Sequence, residues 1–244
     1  MAEYKADVLI IGSGPAGLTR ALLKNNAKKV IAIELDTRAI GILNELKETY
    51  GDRLEIIEGD ALKIDFRKLK ETYAPNCDFR ICANLPYNVS IPLTIQWLYN
   101  ADIINSMTLM YQLEVGERIT AHPHTKDYGR ISIMAGLTNK TRILFKVPRT
   151  CFTPPPKITS CIVEFISNGT QPEKELLLKT EEVVKQAFSE RRKMIRSTLK
   201  PLFATPEQMA MTFEKLKIKE TSRAEELSPE VFLSIATEIQ KNPQ

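Results

Sequence analysis

Short runs of β-branched and aliphatic residues alternate with helix-length amphipathic stretches through the first half of the chain, and this alternation restricts the fold more than any other feature. Asp7 to Ile11, Val30 to Glu34, Leu54 to Ile57 and Phe79 to Ala83 are predicted strands. Between them, Gly17 to Lys24 and Thr37 to Thr49 carry helical periodicity, with Asp36 or Thr37 suited to cap the second. Parallel strands need a crossover connection, which a helix supplies, so the pattern predicts a parallel, doubly wound α/β sheet. Further strands are predicted at Met107 to Tyr111, Arg142 to Val147 and Ser160 to Phe165.

Glycine stops abruptly. All ten lie at or before Gly169, and the 75 residues from 170 to 244 contain none. That tail is predicted helical, over Lys174 to Phe188, Arg191 to Phe203, Pro206 to Leu216 and Pro229 to Lys241, with Ser228 capping the last helix. The turn-rich stretch Ser167 to Pro172 reads as a linker, which divides the chain into residues 1–168 and a small all-helical domain over 173–244.

Hydrophobic residues at 43% and charged residues at 26% are ordinary for a globular chain, which excludes a disordered tail protein or a coiled-coil rod. No stretch approaches the roughly 18 to 20 apolar residues of a membrane span, and the opening residues Glu3, Lys5 and Asp7 do not form a signal peptide. Cys77, Cys82, Cys151 and Cys161 form no CxxC pair, so they read as buried or idle thiols of a reducing compartment. His122 and His124 have no Cys or paired carboxylate at ligand spacing, and no metal is expected. A cytoplasmic monomer without membrane partners is the expectation.

Three segments carry chemistry. The first strand runs into Gly12-Ser13-Gly14-Pro15-Ala16-Gly17, a tight turn that brings backbone N–H groups near a nucleotide-like ligand, and Glu34 ends the next strand where a carboxylate can accept ribose hydroxyls. Asp60, after the third strand, can accept an exocyclic adenine amine or simply cap a short helix. Asn84-Leu85-Pro86-Tyr87 closes the fourth strand. An aromatic amine is a poor nucleophile because its lone pair is delocalised into the ring. The Asn84 side-chain oxygen and the Leu85 carbonyl can draw its hydrogens toward pyramidal geometry, Pro86 stiffens the turn, and Tyr87 offers a face for an unstacked base.

In order and spacing these segments resemble the ribosomal RNA adenine N6-dimethyltransferases. The likeness extends to Gln112, Glu114, Tyr128-Gly129-Arg130, Phe152-Thr153-Pro154-Pro155-Pro156-Lys157 with Ser160, and in the tail to Phe188, Arg191-Arg192-Lys193 and Arg223 to Ser228. The resemblance implies a Rossmann-like methyltransferase sheet and S-adenosylmethionine as cofactor. Gly12 and Gly14 would then face its methionine part, Glu34 its ribose, Asp60 its adenine, with Asn84 near both cofactor and base. Asn84, Leu85, Pro86 and Tyr87 would hold the target adenine, and Phe152 would close the pocket. The implied reaction is double methylation of adenine N6 in small-subunit ribosomal RNA, as part of ribosome biogenesis.

Lys185 to Lys200 carries six cations against Glu190, more net charge than the +4 of the whole chain, so Arg191, Arg192, Lys193 and Arg196 are the predicted RNA contacts. Two departures define the alternatives. Family members usually begin earlier with a Gly-Gln-Asn-Phe-Leu type segment over the cofactor, here not seen before Met1, and Ile10 stands where the family has an acid. One alternative is therefore a weak or inactive ribosome-assembly factor that retains RNA binding. The other is a flavin- or NAD-binding oxidoreductase, because Asp7 to Gly17 also looks like a flavoprotein fingerprint.

Overall fold

The computed structural model describes residues 6–11 (backbone only), 16–153, 155–169 and 171–241. The strands are β1 (Ala6–Ile11), β2 (Lys29–Glu34), β3 (Leu54–Glu58), β4 (Asp78–Asn84), β5 (Ser106–Gln112), β6 (Asn139–Val147) and β7 (Ser160–Ser167). They form one sheet in the order β3-β2-β1-β4-β5-β7-β6. The pairs from β3 across to β5 are parallel, whereas β7 runs antiparallel to β5. The fully parallel expectation is therefore corrected at one end. Among the described residues, the connection from β6 to β7 contains only the 3-10 turn Arg149–Cys151 in place of a crossover helix.

The parallel part is wound by α1 (Gly17–Lys24), α2 (Thr37–Tyr50), α3 (Phe66–Tyr73) and α4 (Tyr87–Leu98). Val30, Ile31, Ala32 and Ile33 of β2 are all buried, which explains why that strand reads as an unbroken apolar run with no alternation. Asp36 caps α2 by accepting from Arg38 N at 2.9 Å, and Asp65 caps α3 through Arg67 N and Lys68 N. Phe66 and Trp97 meet edge to face at 6.1 Å beneath α4.

Two compact units emerge from the contacts, one of residues 1–116 with 140–169, the other of 117–139 with 170–244. The second unit is larger than the tail alone, because α6 (Arg130–Thr138) packs with α7 (Lys174–Ala187) and α10 (Pro229–Lys241). Tyr128, Phe188 and Phe232 form an aromatic series with centroids 6.5 and 6.2 Å apart, and the buried Tyr128 hydroxyl donates to Leu227 O at 2.9 Å. Gly136 lets α6 approach α10, since a Cβ there would lie 3.1 Å from Pro229 Cγ. α9 (Pro206–Lys215) starts on the predicted residue, with Thr205 accepting from Gln208 N.

The predicted helix Arg191 to Phe203 is not continuous. Residues 188–193 form turns, Met194 is extended and bridges to Arg223, and only Ile195–Leu199 (α8) is α-helical before a 3-10 turn over Lys200–Leu202. The bridge, together with the 2.7 Å bond from Ile195 N to Ser222 O, takes the backbone groups that a longer helix would have used. Among the described residues, no helix is long and apolar enough to cross a membrane.

In α5 (Leu113–Ile119), a Cβ on Gly116 would overlap Cys161 Sγ and lie 3.2 Å from Val163 Cγ2. Gly116→Ala is expected to cost about 1–3 kcal/mol by overpacking. Thermal unfolding should show a fall of roughly 2–4 °C per kcal/mol, partly recovered in the double variant Gly116→Ala/Cys161→Ala.

Candidate active site

The register of three strands sets the site. Ile11 of β1 pairs with Ile33 on one side and Ala83 on the other, so Glu34 and Asn84 each lie one residue beyond the level of Ile11 at the carboxyl edge. Two strand spacings separate their backbones, about 10 Å. The sheet order also reverses between β1 and β4, and this is where open α/β sheets form a crevice. Gly12 and Gly14 lie outside the described residues, as does the side chain of Ile10. Ala16, the first described residue after them, is buried with a left-handed φ of 59° and takes the N-cap position of α1.

Glu34 is buried, and its Oε1 accepts from Leu35 N at 2.8 Å and Asp36 N at 2.9 Å. These bonds fix the carboxylate at the strand end. Leu35 beside it is 67% exposed, an apolar platform that sequence reasoning passed over although it stands between two acids. Asp36 is held down to about 2, mainly by the side-chain bond from Arg38, so it remains a carboxylate through the neutral range. Asp60 caps the 3-10 turn Ala61–Lys63, its Oδ1 accepting from Leu62 N at 3.0 Å. The capping role weighed from sequence is thus present, at the carboxyl end of β3.

Asn84, Leu85, Pro86, Tyr87 and Phe152 line one cleft of about 340 Å³, together with Met110 and Pro156. Met110 enters because β5 pairs it directly with Asn84. Pro86 takes the N-cap position of α4 with φ −55°, and this turn leaves Asn84 exposed while Leu85 is buried. Tyr87 is 39% exposed and hydrogen-bonds through its hydroxyl to Ser160 Oγ at 3.1 Å. Ser160, fully buried at the start of β7, is a site residue that was visible only as the end of a motif.

A line of hydroxyls continues beneath α4. Ser90 Oγ donates to Tyr87 O at 3.0 Å, Thr94 Oγ1 donates to Ser90 O at 2.7 Å, and the buried Tyr111 hydroxyl bonds to Thr94 Oγ1. Burial raises the Tyr111 hydroxyl far above its ordinary pKa, so it stays protonated and serves as a donor. Burial also pushes the Cys82 thiol up to about 11, leaving it inert. All four thiols are free: Cys161 is buried, Cys77 and Cys82 are half-buried, and Cys151 is exposed next to Phe152.

The basic tail cluster is mostly paired. Arg191 Nε donates to Glu225 at 2.9 Å while its Nη2 reaches the carbonyls of Lys126 and Tyr128. Lys193 pairs with Glu190 at 2.8 Å and Arg196 with Glu220 at 3.5 Å. Arg192 alone of the four has no ion pair among the described residues.

The model of the ribosomal RNA adenine dimethylase family matches residues 3–241. The ribosomal RNA small subunit methyltransferase A of Azorhizobium caulinodans is 45% identical over 95% of this chain and 78% of its own length. A dimethyladenosine transferase from Plasmodium falciparum is 28% identical, with a TM-score of 0.80, covering 96% of this chain and 90% of that one. The 23S rRNA methyltransferase ErmE, 23% identical with a TM-score of 0.68 over 97% and 91% of the two chains, shares the fold. The family match takes in the glycine turn along with Asn84 to Tyr87, so the turn no longer supports an oxidoreductase. The sheet agrees: an antiparallel strand inserted before the edge departs from the all-parallel dinucleotide-binding order.

The tail geometry separates two arginines that are adjacent in sequence. Arg191→Gln is expected to destabilise the chain by about 1–2 kcal/mol, since it removes a charged donor from a carboxylate and two carbonyls. Arg192→Gln should leave the denaturant midpoint unchanged. Equal midpoints for both variants would show that the Arg191 bonds contribute nothing.

Proposed function

Since the chain belongs to the ribosomal RNA adenine dimethylase family, we propose that it transfers methyl groups from S-adenosylmethionine to N6 of adenines in small-subunit ribosomal RNA. The observation that carries the reading is the cleft of Asn84, Leu85, Tyr87 and Phe152, reached across β1 from the fixed carboxylate of Glu34.

The residues at the sheet edge fit a nucleoside cofactor. A buried carboxylate oriented by two backbone N–H groups suits a ribose diol, and the exposed Leu35 beside it suits a flat apolar ring. Asp60 would hold the adenine amine through the oxygen not used in capping, and Gly12 and Gly14 would approach the methionine part. Bound S-adenosylmethionine supplies the electrophilic methyl group.

In the cleft, Asn84 Oδ1 and the Leu85 carbonyl accept the two N6 hydrogens, and this holds the nitrogen lone pair out of the ring plane. Tyr87 stacks on the base, its ring held at the tip by Ser160, and Phe152 closes the opposite side. Among the described residues, the side chains lining the cleft include no carboxylate or imidazole. None is required, because the proton leaving the methylated ammonium is acidic enough for water. Rate enhancement therefore comes from positioning. The tail contributes RNA contacts through Arg192, with Lys193 and Arg196 shared between RNA and their exposed carboxylate partners, while Arg191 is held by Glu225 and two backbone carbonyls as a tie within the helical unit.

Incubation with labelled S-adenosylmethionine and unmethylated small ribosomal subunits is expected to yield N6,N6-dimethyladenosine. Subunit binding without incorporation would instead identify an assembly factor. Asn84→Ala and Tyr87→Ala should slow single turnover by roughly tenfold to a hundredfold, the value of a lost base-stacking contact, while calorimetry shows cofactor affinity little changed. Matching losses in both measurements would move these side chains to the cofactor site.

A further inference from the structure

A second basic segment lies outside the tail. From Lys140 to Lys157 the chain holds five cations and no acid, a net +5 in eighteen residues. Structure distinguishes it from the tail cluster, where three of the four candidate cations meet carboxylates. Here, among the described residues, only Arg142 is ion-paired, to Glu164 at 2.6 Å. Lys140, Lys146, Arg149 and Lys157 are exposed and have no carboxylate partner among the described residues.

Their placement is ordered. β6 is the edge strand of the sheet, and residues 140, 142, 144 and 146 alternate onto one of its faces. Lys140 and Lys146 therefore stand about 20 Å apart along the strand. β6 then runs into the loop that delivers Phe152 and Pro156 to the base cleft, with Arg149 three residues before Phe152 and Lys157 directly after Pro156.

We infer that β6 and its following loop, Lys140 to Lys157, hold the phosphate backbone of the RNA flanking the base in the cleft. This rests on the reading above that ribosomal RNA is the substrate. Unpaired cations beside a neutral, aromatic cleft match a ligand whose base enters the cleft while its phosphates stay outside. The competing explanation is that lysines on an edge strand only block strand-to-strand aggregation. That explanation leaves Arg149 and Lys157, which lie off the strand, without a role.

The test is an equilibrium titration of the full chain with unmethylated small-subunit ribosomal RNA across a salt series. Lys146→Gln/Arg149→Gln is expected to weaken binding roughly tenfold at 0.15 M salt and to shallow the log–log salt slope by about 0.7 to 1 per cation removed. Lys146→Arg/Arg149→Lys should keep both, and calorimetric binding of S-adenosylmethionine should be the same in all variants. Unchanged affinity and slope in the folded Gln variant would overturn the assignment, as would aggregation of that variant with RNA affinity per monomer intact. If wild-type chain fails to methylate the subunit, the substrate reading falls and takes this inference with it. If wild-type turnover is normal and the slopes are unchanged, only the placement is wrong.

Discussion

Parallel pairing of β1 between β2 and β4 is the constraint on which the site depends. In a parallel ladder all strand ends point the same way, so one register decides which residues leave the sheet together. Pairing Ile11 with both Ile33 and Ala83 places Glu34 and Asn84 at one level on either side of β1. A slip by one residue would turn Glu34 to the other face of its strand and break that alignment. The buried apolar run of β2 guards against such a slip, because each of its side chains from Val30 to Ile33 has a place in the core.

The cleft is built on this frame by hydrogen bonds more than by charge. Tyr87 is held at its hydroxyl by Ser160, and its carbonyl accepts from Ser90. Thr94 and Tyr111 extend the line into the core. An aromatic ring pinned at both backbone and tip has little freedom left to lose, which suits the stacking role proposed for it. The antiparallel strand β7 supplies Ser160, so the departure from a fully parallel sheet also serves the site.

Charge is distributed in a way that counting cannot reveal. The tail and the β6 segment each carry a net +5 over a similar length, yet their cations differ in what faces them. Arg191 joins residues 126–128 to Glu225 within the helical unit and so acts as a structural tie. Lys146 and Arg149 face solvent. Phosphates compete poorly for a guanidinium already bonded to a carboxylate and backbone carbonyls, whereas exposed cations release counterions when they bind.

Local chemistry was sufficient to place much of this protein from its residues. The alternation of apolar strands and amphipathic helices announced the winding of the sheet, the Asp36 cap and the start of α1 fell where propensity puts them, and Asn84 to Tyr87, singled out at the end of the fourth strand, do line one cleft. These features depend on neighbours in sequence or on strand ends that any parallel sheet aligns. What only the tertiary structure decided depends on partners far apart in the chain. Met110 entered the cleft through strand pairing, and Ser160 reached Tyr87 across 73 residues. The bridge from Met194 to Arg223 broke a helix that residues 191–203 would otherwise favour, and packing of α6 against α10 drew residues 117–139 into the helical unit. Whether a cation is a tie or a docking point was settled by the carboxylates that folding brings beside it, and pairwise contact at long range leaves no period or motif to read.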